Sequence, residues 1–178
     1  MKRESEVVGL PVINKLDGSK IATIKKVIYS KNKFRILAFL VEESSFFKEA
    51  KIIEYKNIDK IGIDAVMVSS RNIIIKADTI PEIDTLLKNK QEIMGEQVLT
   101  ENGESIGWIQ DIVFDHDSGK IFGFMLTDGI IQDIKDGRNV LPYIKGIKFG
   151  DEALIIDDNI KGQFDRNKEN FKKLLELE

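Results

Sequence analysis

The chain has 178 residues, 42% of them hydrophobic and 32% charged, a balance expected of a soluble globular protein with one or two small domains. It contains no cysteine, which excludes disulfides, thiolate catalysis and Cys-ligated zinc or iron–sulfur centres. The net charge of −3 is unevenly spread: residues 1–90 carry 17 Lys+Arg against 12 Asp+Glu, and residues 91–178 carry 10 against 18.

Such a split reads either as drift of solvated side chains after a duplication, or as a contact between a basic and an acidic half, within one chain or head-to-tail between chains. The duplication is visible directly. Residues 17–29, from Asp17-Gly18 to Ile28-Tyr29, recur as residues 102–114, from Asn102-Gly103 to Val113-Phe114. The same offset pairs Ile36 with Ile121, Phe39 with Phe124, Leu40 with Met125 and Val41 with Leu126. A fixed-offset repeat sets the number of folding units, here two. At about 75 residues each, these units lie near the lower limit for folding alone. What the copies share is apolar framework and turn residues; no chemically active residue recurs.

In chain order, Met1–Glu6 is hydrophilic and runs into a strand pattern without the apolar core of a signal peptide, so a cytoplasmic location is expected. Residues 21–29 and 34–42 are rich in β-branched and aromatic side chains and flank the polar turn Ser30-Lys31-Asn32-Lys33, which predicts a hairpin. Ile21 and Ile24 are three apart while Val27 and Tyr29 are two apart, so no strict period of two holds and a bulge or sharp bend is expected, as in the second copy at Ile106 and Ile109. The Glu43–Lys48 loop brings the adjacent Phe46 and Phe47. Short strands are then expected at 51–54, 61–63 and 65–68. Thr79-Ile80-Pro81-Glu82 matches a capping box ahead of Ile83, Leu86 and Leu87, which predicts a linker helix over 80–90.

The second copy repeats the hairpin as 106–114 and 120–127 around the turn at 115–119. A loop with Ile130 and Ile131 follows, in the place aligned with Phe46 and Phe47. Further strands are expected at 138–141, 147–149 and 153–156. At the end, Phe164, Phe171, Leu174 and Leu175 form one apolar stripe at helical spacing, which either docks on its own domain or serves a partner or self-association. The expected fold class is therefore mainly all-β, with two small tandem units (1–78 and 93–160), a linker helix within 79–92 and a C-terminal amphipathic helix over 161–178.

Gly95-Glu96-Gln97-Val98, Gly103-Glu104-Ser105-Ile106-Gly107, Val113-Phe114-Asp115, the Asp117-Ser118-Gly119-Lys120 turn and Val140-Leu141-Pro142-Tyr143 together resemble a PRC-barrel domain. The family takes its name from the barrel of the photosynthetic reaction centre H subunit. The first copy is similar but diverged. It keeps Gly9-Leu10-Pro11-Val12 and Asp17-Gly18, but has Ala22 in place of Gly107 and lacks the late proline, with Asn57 at that place. The resemblance implies two SH3-like β-barrels of bacterial or archaeal style that bind other macromolecules without catalysis.

Nothing in the sequence asks for chemistry. His116, the only histidine, stands in a turn between Asp115 and Asp117, as a solvated turn residue would. The turn fails as a calcium loop because its twelfth position is Leu126. No catalytic residue, metal site or cofactor is expected, and the expectation is a non-enzyme. The candidate contacts for a protein partner are Phe46, Phe47, Ile130, Ile131, Phe171, Leu174 and Leu175. Lys31, Lys33 and Arg35 alternate through the first hairpin and form a weaker candidate for anions or nucleic acid. A similar barrel occurs in a ribosome-maturation factor, but the overall acidity here weighs against RNA or DNA. The longest apolar run, residues 36–41, is far short of the ~20 needed to span a bilayer. Peripheral association with a membrane complex is the remaining alternative to an adaptor, and homo-oligomerisation stays open.

Overall fold

The computed structural model describes residues 1–43, 49–89, 92–127, 139–143, 146–150 and 152–162. The chain divides into two units. One comprises Lys2–Gln91 with Phe114–Lys120; the other comprises Met1, Glu92–Val113 and Ile121–Glu178.

In the first unit, β1 (Lys2–Arg3) and the single turn α1 (Glu4–Val7) precede β2 (Pro11–Asn14), β3 (Lys20–Thr23), β4 (Lys26–Ser30) and β5 (Arg35–Glu42). They are followed by β6 (Lys51–Glu54), β7 (Lys60–Ile61), β8 (Val66–Val68), β9 (Ile74–Lys76) and the helix α2 (Pro81–Lys88). Two four-stranded sheets result, β3-β2-β8-β7 and β4-β5-β6-β9. The predicted hairpin is β4–β5, antiparallel with Val27 opposite Phe39. The predicted strand over 21–29 is split between the two sheets. At the split, Ile24 bonds back to Leu10 (3.0 Å), while the next amide, Lys25, turns to Leu40 of β5 (2.7 Å). One bent stretch thus serves both sheets, as closure of a small barrel requires.

The second unit repeats this plan with β10 (Gln97–Thr100), β11 (Ser105–Phe114), β12 (Ile121–Thr127), β13 (Asn139–Pro142), β14 (Lys148–Phe149) and β15 (Ala153–Ile156). Its strands lie in the order β13-β12-β11-β10-β15-β14, because β11 runs unbroken where the first copy has β3 and β4. The expected bulge is present in both copies at the same place. Val12 faces Ala22 and Ile13 faces Lys20, skipping Ile21. Likewise Val98 faces Gly107 and Leu99 faces Ser105, skipping Ile106. Each unit contains one parallel pair, β2 with β8 and β10 with β15.

Alternation fixes the cores. Val12, Ile24, Val27, Ile36, Phe39, Val66 and Val68 point inward in the first unit, and Phe39 meets Tyr55 edge-on with centroids 5.6 Å apart. Burying a side chain such as Phe39 contributes roughly 2–3 kcal/mol. Val98, Ile109, Phe124, Leu126 and Leu154 do the same in the second unit, where Phe124 packs edge-on against Phe149. The linker helix runs from Pro81 to Lys88 with Asn89 as its C-cap, and the capping box does not form. Its N-cap is Ile80 with no side-chain cap, Pro81 takes the first helical position, Thr79 Oγ1 donates to Lys76 O instead, and Glu82 reaches Lys33. The helix docks Ile83, Leu86 and Leu87 against Ile28, Leu40 and Ile52.

Candidate docking faces

The strand pleat that sends Val12, Asn14, Val66 and Val68 inward turns Ile13 and Met67 outward. Register then sets four residues in one row across the outer face of the first barrel: Lys20, Ile13, Met67 and Lys60. The middle pair is half-buried and both lysines are exposed. Among the described residues neither Lys20 nor Lys60 meets a carboxylate. Two apolar side chains stand in water in the turns at the ends of these strands, Leu16 after β2 at 76% exposure and Ile63 before β8 at 81%. Solvation of such groups is unfavourable by ~25 cal/mol per Å².

The acids around that face are tied up. Asp17 accepts from the Ser19 amide and hydroxyl, at 3.0 and 2.7 Å, and from Arg71 at 2.6 Å; these bonds, Ser19's foremost, hold its carboxyl down at about 2. Asp59 takes the Ser69 hydroxyl and Lys15 Nζ (3.0 Å), and both lower its pKa.

The second barrel presents the equivalent row as Ser105, Leu99, Ile155 and Lys148, again with a half-buried apolar pair at the centre. Trp108, 40% exposed, sits one row along, opposite Gln97. The rim has changed sign. The amides of Lys15 and Glu101 make the same bond, to Val68 O and Ile156 O, so Glu101 stands where the first copy has Lys15. By the same correspondence Glu104 replaces Ser19, and Asp157 and Asp158 replace Ser69 and Ser70. Glu101 draws Lys148 to 2.8 Å and raises its pKa, and Glu104 pairs with Lys161.

The predicted basic row of Lys31, Lys33 and Arg35 spans the first hairpin's turn and the start of β5. Lys31–Phe34 is a turn, not a strand, and Phe34 is the only described non-glycine residue at positive φ (49°). Lys33 Nζ bonds Glu82 at 2.5 Å, and Arg35 Nη2 donates to Ser118 O at 2.8 Å. Lys33 and Arg35 line an open groove of about 450 Å³ with Glu54, Tyr55, Lys56 and Asp117. In it the Tyr55 hydroxyl donates to His116 O at 2.8 Å, and burial first, then Asp115 and Asp117, pushes that phenol well above its ordinary pKa. His116 Nδ1 lies 3.0 Å from Asp117, in the turn foreseen for it. Phe46, Phe47, Ile130, Ile131, Phe171, Leu174 and Leu175 lie outside the described residues. Leu16, Ile63 and Trp108 were not foreseen; in a sequence, a single apolar residue looks like core.

Among the described residues no group of three or more His, Asp or Glu is placed to hold a metal, and no helix is long and apolar enough to cross a membrane. No curated protein matches the chain. The family model of the PRC-barrel domain matches it twice, over residues 1–80 and 89–162, and the chain belongs to the PRC-barrel family.

Proposed function

We propose that this tandem PRC-barrel protein is a non-catalytic adaptor or assembly scaffold that works by surface complementarity. The observation that carries the reading is the pair of equivalent outer sheet faces, each with an apolar centre, together with the exposed Leu16, Ile63 and Trp108. Exposed apolar residues ringed by charge are what a protein partner buries. The carboxylates with lowered pKa values fit the same reading, since Asp17, Asp59 and Asp115 are held by turn hydroxyls and surface cations rather than in a cleft.

The test is affinity capture from a lysate of the source organism, with the tagged chain and with its Leu16→Ser/Ile63→Ser variant, at low and high salt and with nuclease. The expected result is a discrete protein that survives nuclease and is lost with the variant. Material lost with nuclease would move the function to RNA. Sedimentation with membranes and release by salt would move it to a membrane complex. Capture indifferent to the variant would remove these faces from the mechanism.

A further inference from the structure

The two faces match each other. One is an apolar bar, Ile13 and Met67, between the uncommitted Lys20 and Lys60; the other is an apolar bar, Leu99 and Ile155, whose rim sets four acids, Glu101, Glu104, Asp157 and Asp158, against two cations, Lys148 and Lys161, which pair with the first two. We propose that the basic face of the first barrel docks the acidic face of the second barrel of another copy of this chain, so that the protein assembles head-to-tail. The inference rests on the scaffold reading and names its partner as the chain itself.

Three observations converge on this occupant. The charge split of the sequence, 17 cations to 12 anions in residues 1–90 and 10 to 18 in residues 91–178, is expressed at structurally equivalent positions of one face. There Lys15 becomes Glu101, Ser19 becomes Glu104, and Ser69 and Ser70 become Asp157 and Asp158. Both apolar bars are only half-buried in the single chain, and on the second sheet the exposed Trp108 stands opposite Gln97, on the strand of Leu99. Finally, the bars share the same geometry, a parallel strand pair with the same register and the same bulge beside it, so their spacings agree. A second copy of the basic face would meet like charge, which disfavours a two-fold pairing of identical faces. Unlike faces on one chain give a heterologous contact, which propagates or closes into a ring.

The experiment is sedimentation velocity of the full chain up to about 0.5 mM, where an interface of ~100 μM populates. In about 50 mM salt the mass is expected to grow with concentration, and at about 500 mM the association weakens about tenfold. Lys20→Glu/Lys60→Glu gives a chain with two acidic faces, and Glu101→Lys/Glu104→Lys a chain with two basic ones. Each alone is expected to stay monomeric, and a one-to-one mixture to assemble again. All four positions are exposed, and thermal melts of both variants check that they fold. Trp108, the sole tryptophan, supplies a second readout: acrylamide quenching is expected to fall about twofold as wild-type chains associate.

A wild type that stays monomeric at low salt overturns the proposal, as does a mixture that fails to reassemble. Monomers that float with vesicles of phosphatidylserine and phosphatidylcholine would assign the basic face to lipid instead. A monomer that still captures a protein through Leu16 and Ile63 would leave the adaptor reading standing and this inference fallen.

Discussion

Arg35 and Lys120 occupy the same place in the two repeats, and a single antiparallel bridge joins their backbones. Around it, three hydrogen bonds from the first repeat fall on main-chain oxygens of the 116–119 turn. The Ile36 amide donates to Gly119 O at 2.8 Å, Arg35 to Ser118 O and the Tyr55 hydroxyl to His116 O. The turn is thus held by its backbone shape. Gly119 is needed there, because at φ 71° a Cβ would stand 2.8 Å from Tyr55 Cε1.

Tyr55→Phe is therefore expected to cost about 1 kcal/mol, the net value of one hydrogen bond whose acceptor is left half-buried. Gly119→Ala is expected to cost about 1–3 kcal/mol, through both the strained φ and the ring contact. In a Tyr55→Ala background only the φ penalty of Gly119→Ala remains. Urea unfolding of the double-mutant cycle separates the two contributions; equal costs in both backgrounds would deny the ring contact.

A second pair of equivalent positions requires different residues. Ala38 lies opposite Glu54 in the first barrel, fully buried, whereas Gly123 lies opposite Pro142 in the second, and a Cβ there would fall 2.5 Å from Leu141 O. Gly123→Ala is expected to destabilise by about 2 kcal/mol or more through overpacking against backbone. Ala38→Gly is expected to cost about 1 kcal/mol from strand entropy and a lost methyl. If thermal unfolding shows Gly123→Ala stabilising, β12 and β13 are farther apart than described.

Ile83 anchors α2 with only 2% of its surface exposed. Its truncation to Ala is expected to cost about 2–5 kcal/mol, the range for emptying a packed aliphatic site. Hydrogen exchange across Pro81–Lys88 should rise in parallel. A loss under 1 kcal/mol would show that the helix is dispensable for the first unit.

Asp17 sets a pH dependence. Its folded pKa, about 2, lies below the ordinary value of about 3.9, so its stabilising contribution is complete above about pH 4 and is lost as pH falls towards 2. The gap in melting temperature between the wild type and Asp17→Asn should accordingly be full at neutral pH and close near pH 2. A gap that persists there would mean that Arg71 and Ser19 do not favour the ionised form.

Much of this fold could be read from residue order. The repeat marked matching hairpins, and the broken spacing of Ile21 and Ile24 announced a bulge that the structure places at Ile21 itself. Local pattern could not supply the parallel pairs, since Val12 meets Val66 only through a partner chosen by the whole barrel. The candidate faces were hidden for the same reason. Lys20 and Lys60 are far apart in sequence and share a row only because β2 and β8 lie between them. The row of Lys31, Lys33 and Arg35 was visible as alternation, yet Phe34 at positive φ breaks the extended backbone that alternation assumes. The capping box failed because Thr79 was already spent on Lys76 O.

The inclusion of residues 114–120 in the first unit bears on the order of synthesis. Val12 waits for Val66 before the first barrel can close, yet the acceptors of the Ile36 amide and the Tyr55 hydroxyl are made later still. At ~5–20 residues per second, a ribosome that has finished the linker helix still needs a few seconds to reach Lys120. During that interval the emerging barrel holds two donors without their native partners. A chain cut after residue 92 would keep that state permanently, so the repeats, although duplicated, are not interchangeable halves that can be cut apart at the linker.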